Sequence, residues 1–371
     1  MSLHAWLGEQ ARQRERDGLV RSLATRSGAD DLIDLAGNDY LGLCRDERVT
    51  AAAARAAVEW GAGASASRLV TGTLPVHTGL ESALAERLGH EAALVHSTGY
   101  HANLSAVTAL SDRDTLLVSD AHVHASLVDA CRLSRGTLAV VGHNDLAQVE
   151  ARLAERTQTR ALVLVESIYS VLGDAAPLIE LVALCERHDA TLVVDEAHGI
   201  GVAGDGGGLV RELGLAGRPS VIVTMTLSKA LGSQGGAVLG SQAVVDHLVN
   251  RSRPFIYDTG LAPSAAAAAH EALRIMDAEP ERVTRLHHVA ASLADAAGVP
   301  RVAGAVLSVE MPGPAETLAA QAECAGSGVR VGCFRPPSTP DGISRLRLTA
   351  SAGIDDDELT LACKLIGTVV P

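Results

Sequence analysis

The sequence predicts an α/β protein, a mostly parallel sheet with helices on both faces, followed by a smaller α+β domain. Three observations carry this. Short apolar runs of strand length alternate with helical patterns up to about residue 240. The runs are apolar throughout rather than alternating with polar residues, as expected of strands covered on both faces. Beyond residue 260 the texture changes to two helical stretches followed by strand-like runs. The expected organisation is an N-terminal helical segment over 1–35, a large domain over 36–260 and a small C-terminal domain over 261–371.

Taken in order, residues 4–23 read as an amphipathic helix rich in arginine (Arg12, Arg14, Arg16, Arg21), and Ala51–Trp60 as an Ala-rich helix. In Val76–Leu88, Leu80, Leu84 and Leu88 fall at helical spacing. That helix should open with Thr78-Gly79-Leu80-Glu81, an S/T-x-x-E capping box, and close before Gly89. The strand runs are Ala92–His96, Thr115–Ser119, Leu138–Gly142, Ala161–Glu166, Thr191–Asp195 and Val221–Thr226. Gly232–Gly240 reads either as a flexible loop or as backbone that must approach a ligand closely. Pro263–Ala278 and Glu281–Ala297 are helical, Val302–Val309 and Leu346–Thr349 strand-like, and a last helix covers Asp355–Gly367.

The 371 residues are 47% hydrophobic and 20% charged, the balance of an ordinary globular chain able to bury a large core. A net charge of −13 argues against broad binding to nucleic acid or anionic membranes, and aromatics, at 2%, offer few stacking surfaces for bases. Six cysteines without a C-x-x-C pair form neither a zinc site nor a disulfide framework and suit a reducing compartment. Met1-Ser2-Leu3-His4-Ala5-Trp6 lacks the layout of a signal peptide, and no apolar run is long enough to cross a bilayer. A cytoplasmic protein is expected.

Two motifs mislead. Asp195-Glu196-Ala197-His198 spells the D-E-A-H of nucleic-acid-dependent ATPases, but neither lysine of the chain follows a glycine, so no phosphate-cradling G-K-[ST] loop exists. Gly61-Ala62-Gly63-Ala64-Ser65-Ala66 fits a dinucleotide fingerprint, yet it follows a helix rather than a strand.

Lysine itself is the informative residue. Lys and Arg total 31, and only Lys229 and Lys364 are lysines. Arginine cannot act as an amine nucleophile, whereas a desolvated lysine forms a Schiff base with an aldehyde. Lys229 follows the end of an apolar run, and the ends of neighbouring runs carry Glu166 with Ser170, Asp195 with His198, and Thr226. Asp120, His122 and His124 follow another run, and Ser97-Thr98-Gly99-Tyr100 a further one. Singly, Asp195 reads as a helix cap and the histidines as loop residues. A metal site from Asp195, His198 and His124 matches no known ligand spacing. Jointly they supply an amine, a carboxylate for a ring nitrogen, hydroxyls and a helix start for a phosphate, and a flat group for a ring face, which is what pyridoxal phosphate needs.

These residues resemble the α-oxoamine synthases, pyridoxal phosphate enzymes of the aspartate-aminotransferase-like fold (fold type I). The resemblance runs in order through Asn38-Asp39-Tyr40-Leu41-Gly42, Gly61–Gly72, Thr98-Gly99-Tyr100, His124-Ala125-Ser126, Glu166–Asp174, Asp195–Gly199, Thr226-Leu227-Ser228-Lys229 and Ser344-Arg345-Leu346-Arg347. It implies that Lys229 forms the imine, Asp195 partners the pyridinium nitrogen, His198 and Ser170 bond the ring hydroxyl, and His124 stacks on the ring. Thr226, backbone at Gly99 and Tyr100, and Thr259 would complete the cofactor site. Arg347 and Asn38 would bind the amino-acid carboxylate, with Arg345 the open alternative to Arg347, and Arg21 would meet the acyl substrate. Arg335-Pro336-Pro337 leading to Arg345-Leu346-Arg347 looks most like the biotin-pathway branch, which condenses L-alanine with pimeloyl-CoA or a pimeloyl-carrier protein. A sister synthase taking glycine or serine with another acyl-CoA is the alternative. A homodimer with active sites at its interface is implied as well. Ser228, Ser338-Thr339 and Asp258-Thr259-Gly260 depart from the family pattern.

Overall fold

The computed structural model describes residues 1–23, 25–27, 31–339 and 341–370. Its strands are β1 (Ile33–Leu35), β2 (Ala92–His96), β3 (Thr115–Asp120), β4 (Thr137–Val141), β5 (Arg160–Glu166), β6 (Thr191–Asp195), β7 (Val221–Thr226), β8 (Gly236–Gly240), β9 (Val306–Glu310), β10 (Val329–Phe334) and β11 (Arg345–Thr349). Seven form one sheet in the order β2-β8-β7-β6-β5-β3-β4, with β3 to β7 mutually parallel. Successive side chains point to opposite faces and fill two separate cores. Leu116, Val118, Val163 and Val194 belong to one apolar cluster, and Leu117, Leu162, Leu164 and Val193 to the other. The central runs are therefore mostly apolar because both of their faces are covered, whereas β4, at the sheet edge, leaves Leu138 and Val140 exposed.

Gly232–Gly240 is not a loop throughout. Its second half is β8, antiparallel to both β2 and β7. The close approach expected of its glycines is real, but the partner is this chain's own backbone: a Cβ on Gly236 would stand 2.5 Å from the Gly99 Cα. The helix at Pro75–Leu88 also starts earlier than its capping box implied. Pro75 occupies the first helical position, where its missing N–H costs nothing. The His77 Nδ1 accepts from the Leu74 N–H at 3.1 Å, Thr78 lies inside the first turn, and Glu81 is drawn off to Arg68 at 3.0 and 3.1 Å. The N-terminal helix spans Leu3–Arg16 rather than reaching residue 23, stops before Gly18 in the left-handed region, and buries no residue.

The second sheet, in the order β1-β10-β11-β9, joins an N-terminal strand to C-terminal ones. β1 lies parallel to β10, and β11 is antiparallel to both its neighbours. The chain leaving β1 is tied to the segment after β11: the Ala352 N–H donates to the Tyr40 carbonyl at 2.7 Å and the Ser351 hydroxyl to the Asp39 carbonyl at 2.6 Å. These ties bring Asn38 and Tyr40 beside the carboxyl ends of the large sheet. Among the described residues, no helix is long and apolar enough to cross a membrane.

Candidate active site

A cavity of about 260 Å³ lies at the carboxyl ends of β5, β6 and β7 and against the first turn of the helix Gly99–Leu110. This is where open parallel sheets bind ligands, because strands end there and helices present free N–H groups. Seven of the sequence-predicted residues line its wall: Lys229, Asp195, His198, His124, Thr226, Gly99 and Tyr100.

At one end Thr98 caps the helix, accepting from the His101 N–H at 3.0 Å. Gly99 is held against β7 so closely that a Cβ there would come within 2.9 Å of the Thr226 Cβ. The Thr226 and Ser228 hydroxyls lie 2.6 Å apart. Free helix N–H groups beside two hydroxyls make an anion cradle.

Asp195 is 4% exposed, and its carboxylate accepts from the Ala197 N–H at 2.9 Å and the Asn103 side chain at 2.7 Å. Asn103 also donates to the Ser126 hydroxyl at 2.8 Å and accepts from the Thr224 hydroxyl at 2.5 Å. The Ser126 backbone N–H donates to the His124 Nδ1 at 3.2 Å, and the Ser126 hydroxyl lies 2.7 Å from the same nitrogen. With Nδ1 accepting, a neutral His124 carries its hydrogen on Nε2.

The Lys229 Nζ is 2.8 Å from the His198 Nε2. Burial pushes the Lys229 amine down to about 8, against the opposing pull of Asp195 and Glu166. His198 is held well below its ordinary value by burial and by the charge of Lys229. Glu166, the cross-strand neighbour of Asp195, lines the cavity with one buried oxygen lacking a partner. Burial and the nearby Asp195 carboxylate push it up to about 8.

Five predicted residues lie off the wall. Arg347 and Asn38 bond each other at 2.8 Å, and the Arg347 guanidinium sits 5.1 Å from the centre of the Phe334 ring. Arg345, its strand neighbour, is committed elsewhere, to both oxygens of Asp341 at 2.7 and 2.6 Å and to Glu310 at 3.1 Å. The Ser170 N–H donates to Glu166 at 2.9 Å. Thr259 is exposed, and Arg21 bonds the Ser338 hydroxyl at 2.9 Å in a separate groove beside Arg335.

Asn103, Ser126 and Tyr40 have no role assigned from the sequence. Asn103 lies one helical turn beyond Gly99, on the face that returns to the cavity, and that spacing was the available signal.

Pyridoxal phosphate fits these residues. A lysine amine of lowered basicity, a buried carboxylate held by two donors, an anion cradle where a Cβ cannot enter, and an unpartnered carboxyl oxygen on the wall match its groups one by one.

Comparison with known proteins agrees. The family described as aminotransferase class I and II matches residues 30–366. The 8-amino-7-oxononanoate synthase of Mycolicibacterium gilvum is 54% identical over 99% of this chain and 97% of its own length. That of Mycobacterium marinum is 53% identical over 99% of this chain and 94% of its own. Among solved structures, serine palmitoyltransferase from S. paucimobilis, with a bound PLP–myriocin aldimine, superimposes with a TM-score of 0.92 at 27% identity, covering 100% of this chain and 98% of that one. The 8-amino-7-oxononanoate synthase of Francisella tularensis superimposes at 0.77 with 23% identity, over 91% and 98% of the two chains, a likeness of fold.

Proposed function

The chain belongs to the class I and II aminotransferase family, in its α-oxoamine synthase branch with pyridoxal phosphate as cofactor, and from that premise we propose that it condenses L-alanine with pimeloyl-CoA or a pimeloyl-carrier protein. The products are 8-amino-7-oxononanoate, CO2 and the free thiol, which places the reaction in biotin biosynthesis. The observation that carries the reading is the join between site and sequence. A lysine amine faces a buried carboxylate in a cavity of this type, within a chain 54% identical to 8-amino-7-oxononanoate synthases along their length.

Pyridoxal phosphate, when bound, supplies an aldehyde for amines and a ring that draws electrons from the bonds at the substrate Cα. Lys229 is the residue that would hold the aldehyde and would be freed when the substrate amine takes its place. The freed Lys229 amine then accepts the alanine Cα proton, a task suited to a base near neutrality. Asp195, fixed by Asn103 and the Ala197 N–H, keeps a proton on the ring nitrogen. His198 would bond the ring hydroxyl, and Ser170, beside Glu166, is assigned to the same group. Thr226, with backbone at Gly99 and Tyr100, would hold the phosphate, and Thr259 is assigned to that end. Arg347 and Asn38 take the alanine carboxylate; the pairing of both Arg345 terminal nitrogens with Asp341 and Glu310 favours Arg347 in this role. His124, presenting Nε2–H at the cavity, would cover the ring face and would donate to the thioester carbonyl oxygen as the new C–C bond forms. Thiol departure and CO2 loss follow, and the Lys229 ammonium returns its proton to the Cα. Arg21 is assigned to the distal acyl group.

A homodimer belongs to the same reading. Gly260 donates to the Ala66 carbonyl at 2.9 Å, joining two segments that carry the exposed Leu69, Val70 and Tyr257. Light scattering should give twice 38.2 kDa.

Mixing the cofactor-loaded protein with L-alanine and pimeloyl-CoA, and identifying the amine product by mass, tests the function. The second reading is serine or glycine with another acyl-CoA, favoured by the backbone likeness to serine palmitoyltransferase. Thiol release across the three amino acids, with pimeloyl and long-chain thioesters, separates the two.

A further inference from the structure

Tyr40 is fully buried, and its hydroxyl lies 2.6 Å from the His198 Nδ1. The opposite nitrogen of that ring, Nε2, is the one facing Lys229. Five side chains thus form one line: Arg347, then Asn38, then Tyr40, then His198, then the Lys229 amine.

We propose that Tyr40 is a positioning residue that fixes His198 as the tautomer with its hydrogen on Nε2, so that His198 presents a donor to the Lys229 amine. The phenol has one hydrogen to give. Its two acceptor choices are the His198 Nδ1 at 2.6 Å and the Asn38 carbonyl oxygen at 3.3 Å. The second is beyond the usual O–H···O range, and that oxygen already accepts from Arg347 at 2.8 Å. Arg347, a pure donor whose charge acts on Tyr40, offers the phenol no acceptor. The phenolic hydrogen is left for Nδ1. A neutral imidazole accepting there carries its own hydrogen on Nε2.

The consequence falls on Lys229. An Nε2–H can bond a free amine but opposes an ammonium, which has no lone pair to offer. The donor therefore favours the free base. The other charged or titratable groups facing Lys229 are Asp195 and Glu166, which oppose this, Arg347, which supports it, and His124. In the loaded enzyme the same N–H points at the oxygen assigned to His198. That second consequence rests on the proposed function; the tautomer does not.

The test is nitrogen-15 NMR of histidine-labelled full-length protein, loaded and unloaded, with the His198 signals assigned by their loss in H198A. Neither substrate is present, so a wrong reaction assignment leaves the result readable. The wild-type protein should show His198 with Nε2 protonated and Nδ1 bare. Y40F, which keeps the ring but removes the hydroxyl, should shift His198 toward the Nδ1–H form. With only two lysines in the chain, labelled Lys229 can be titrated directly in the unloaded protein. Y40F should raise its midpoint by roughly half to one unit, since a bare Nε2 now accepts from the ammonium. An Nδ1–H tautomer in the wild-type protein overturns the proposal whatever Y40F does. So does a Y40F protein whose His198 tautomer and Lys229 midpoint are unchanged.

Discussion

Asn103 donates to Asp195 across 2.7 Å from a helix whose first turn forms the anion cradle, so one helix serves both ends of the cavity. The cradle comes from its N-terminus and the carboxylate clamp from its second turn. Asn103→Ala should leave Asp195 one donor short and free the Ser126 hydroxyl that fixes His124. A hydrogen bond to a charged group contributes about 1.5–3 kcal/mol, so cofactor affinity should fall by about 10–100-fold. Absorbance titration of the unloaded protein with pyridoxal phosphate measures it.

Arg345 and Arg347 alternate with Leu346 on one strand yet have separate partners. Arg347→Ala should raise the KM for the amino acid by about 10–100-fold while stability changes little beyond the lost packing on Phe334. Arg345→Ala removes the buried partner of Asp341 and should lower the melting temperature with a smaller effect on KM. Amino-acid kinetics and thermal melts on the same two proteins separate these outcomes. A larger KM effect from Arg345 would reassign the carboxylate site.

Gly99→Ala probes the cradle. The added methyl meets the Thr226 Cβ at 2.9 Å, and either the helix start or β7 must shift. Phosphate-dependent affinity should drop, so that pyridoxal and pyridoxal phosphate bind more nearly alike. Competition between the two ligands reads the difference.

Glu166 gives a stability signature with a definite sign. Its carboxyl is pushed up to about 8 by burial, against an ordinary value of 4.5 in the unfolded chain. Between those values the native protein binds more protons than the unfolded chain, so stability falls as pH rises from 4.5 to about 8 and then levels. Glu166→Gln removes that dependence. Relative to wild type, the unloaded variant should gain stability as pH rises through this window, by about a few degrees in melting temperature at the upper end. Melts across the pH range follow it.

The large sheet could be read from the sequence because burial on both faces makes its central strands apolar runs, as in Ala161–Val165. β8 was not, since glycines placed for contact with Gly99 look like loop residues. β1 is three residues long, and β10, Val329–Phe334, interleaves Arg330 and Gly332 with its apolar residues. In the site, Lys229, Asp195 and His198 stand out because strand ends expose them at one edge. Asn103 and Ser126 stay hidden because a buried amide and hydroxyl within Ala-rich helices look like ordinary surface polar residues until the fold closes around them. Tyr40 lies 158 residues from His198 in the chain, and no spacing rule links them.

Borohydride reduction of the cofactor-loaded protein, followed by peptide mapping, tests the central claim most directly, because the chain offers just two lysine side chains. The cofactor mass should be found on the peptide containing Lys229 and be absent from that containing Lys364. Label on Lys364, or on neither lysine despite a bound cofactor, would contradict the account.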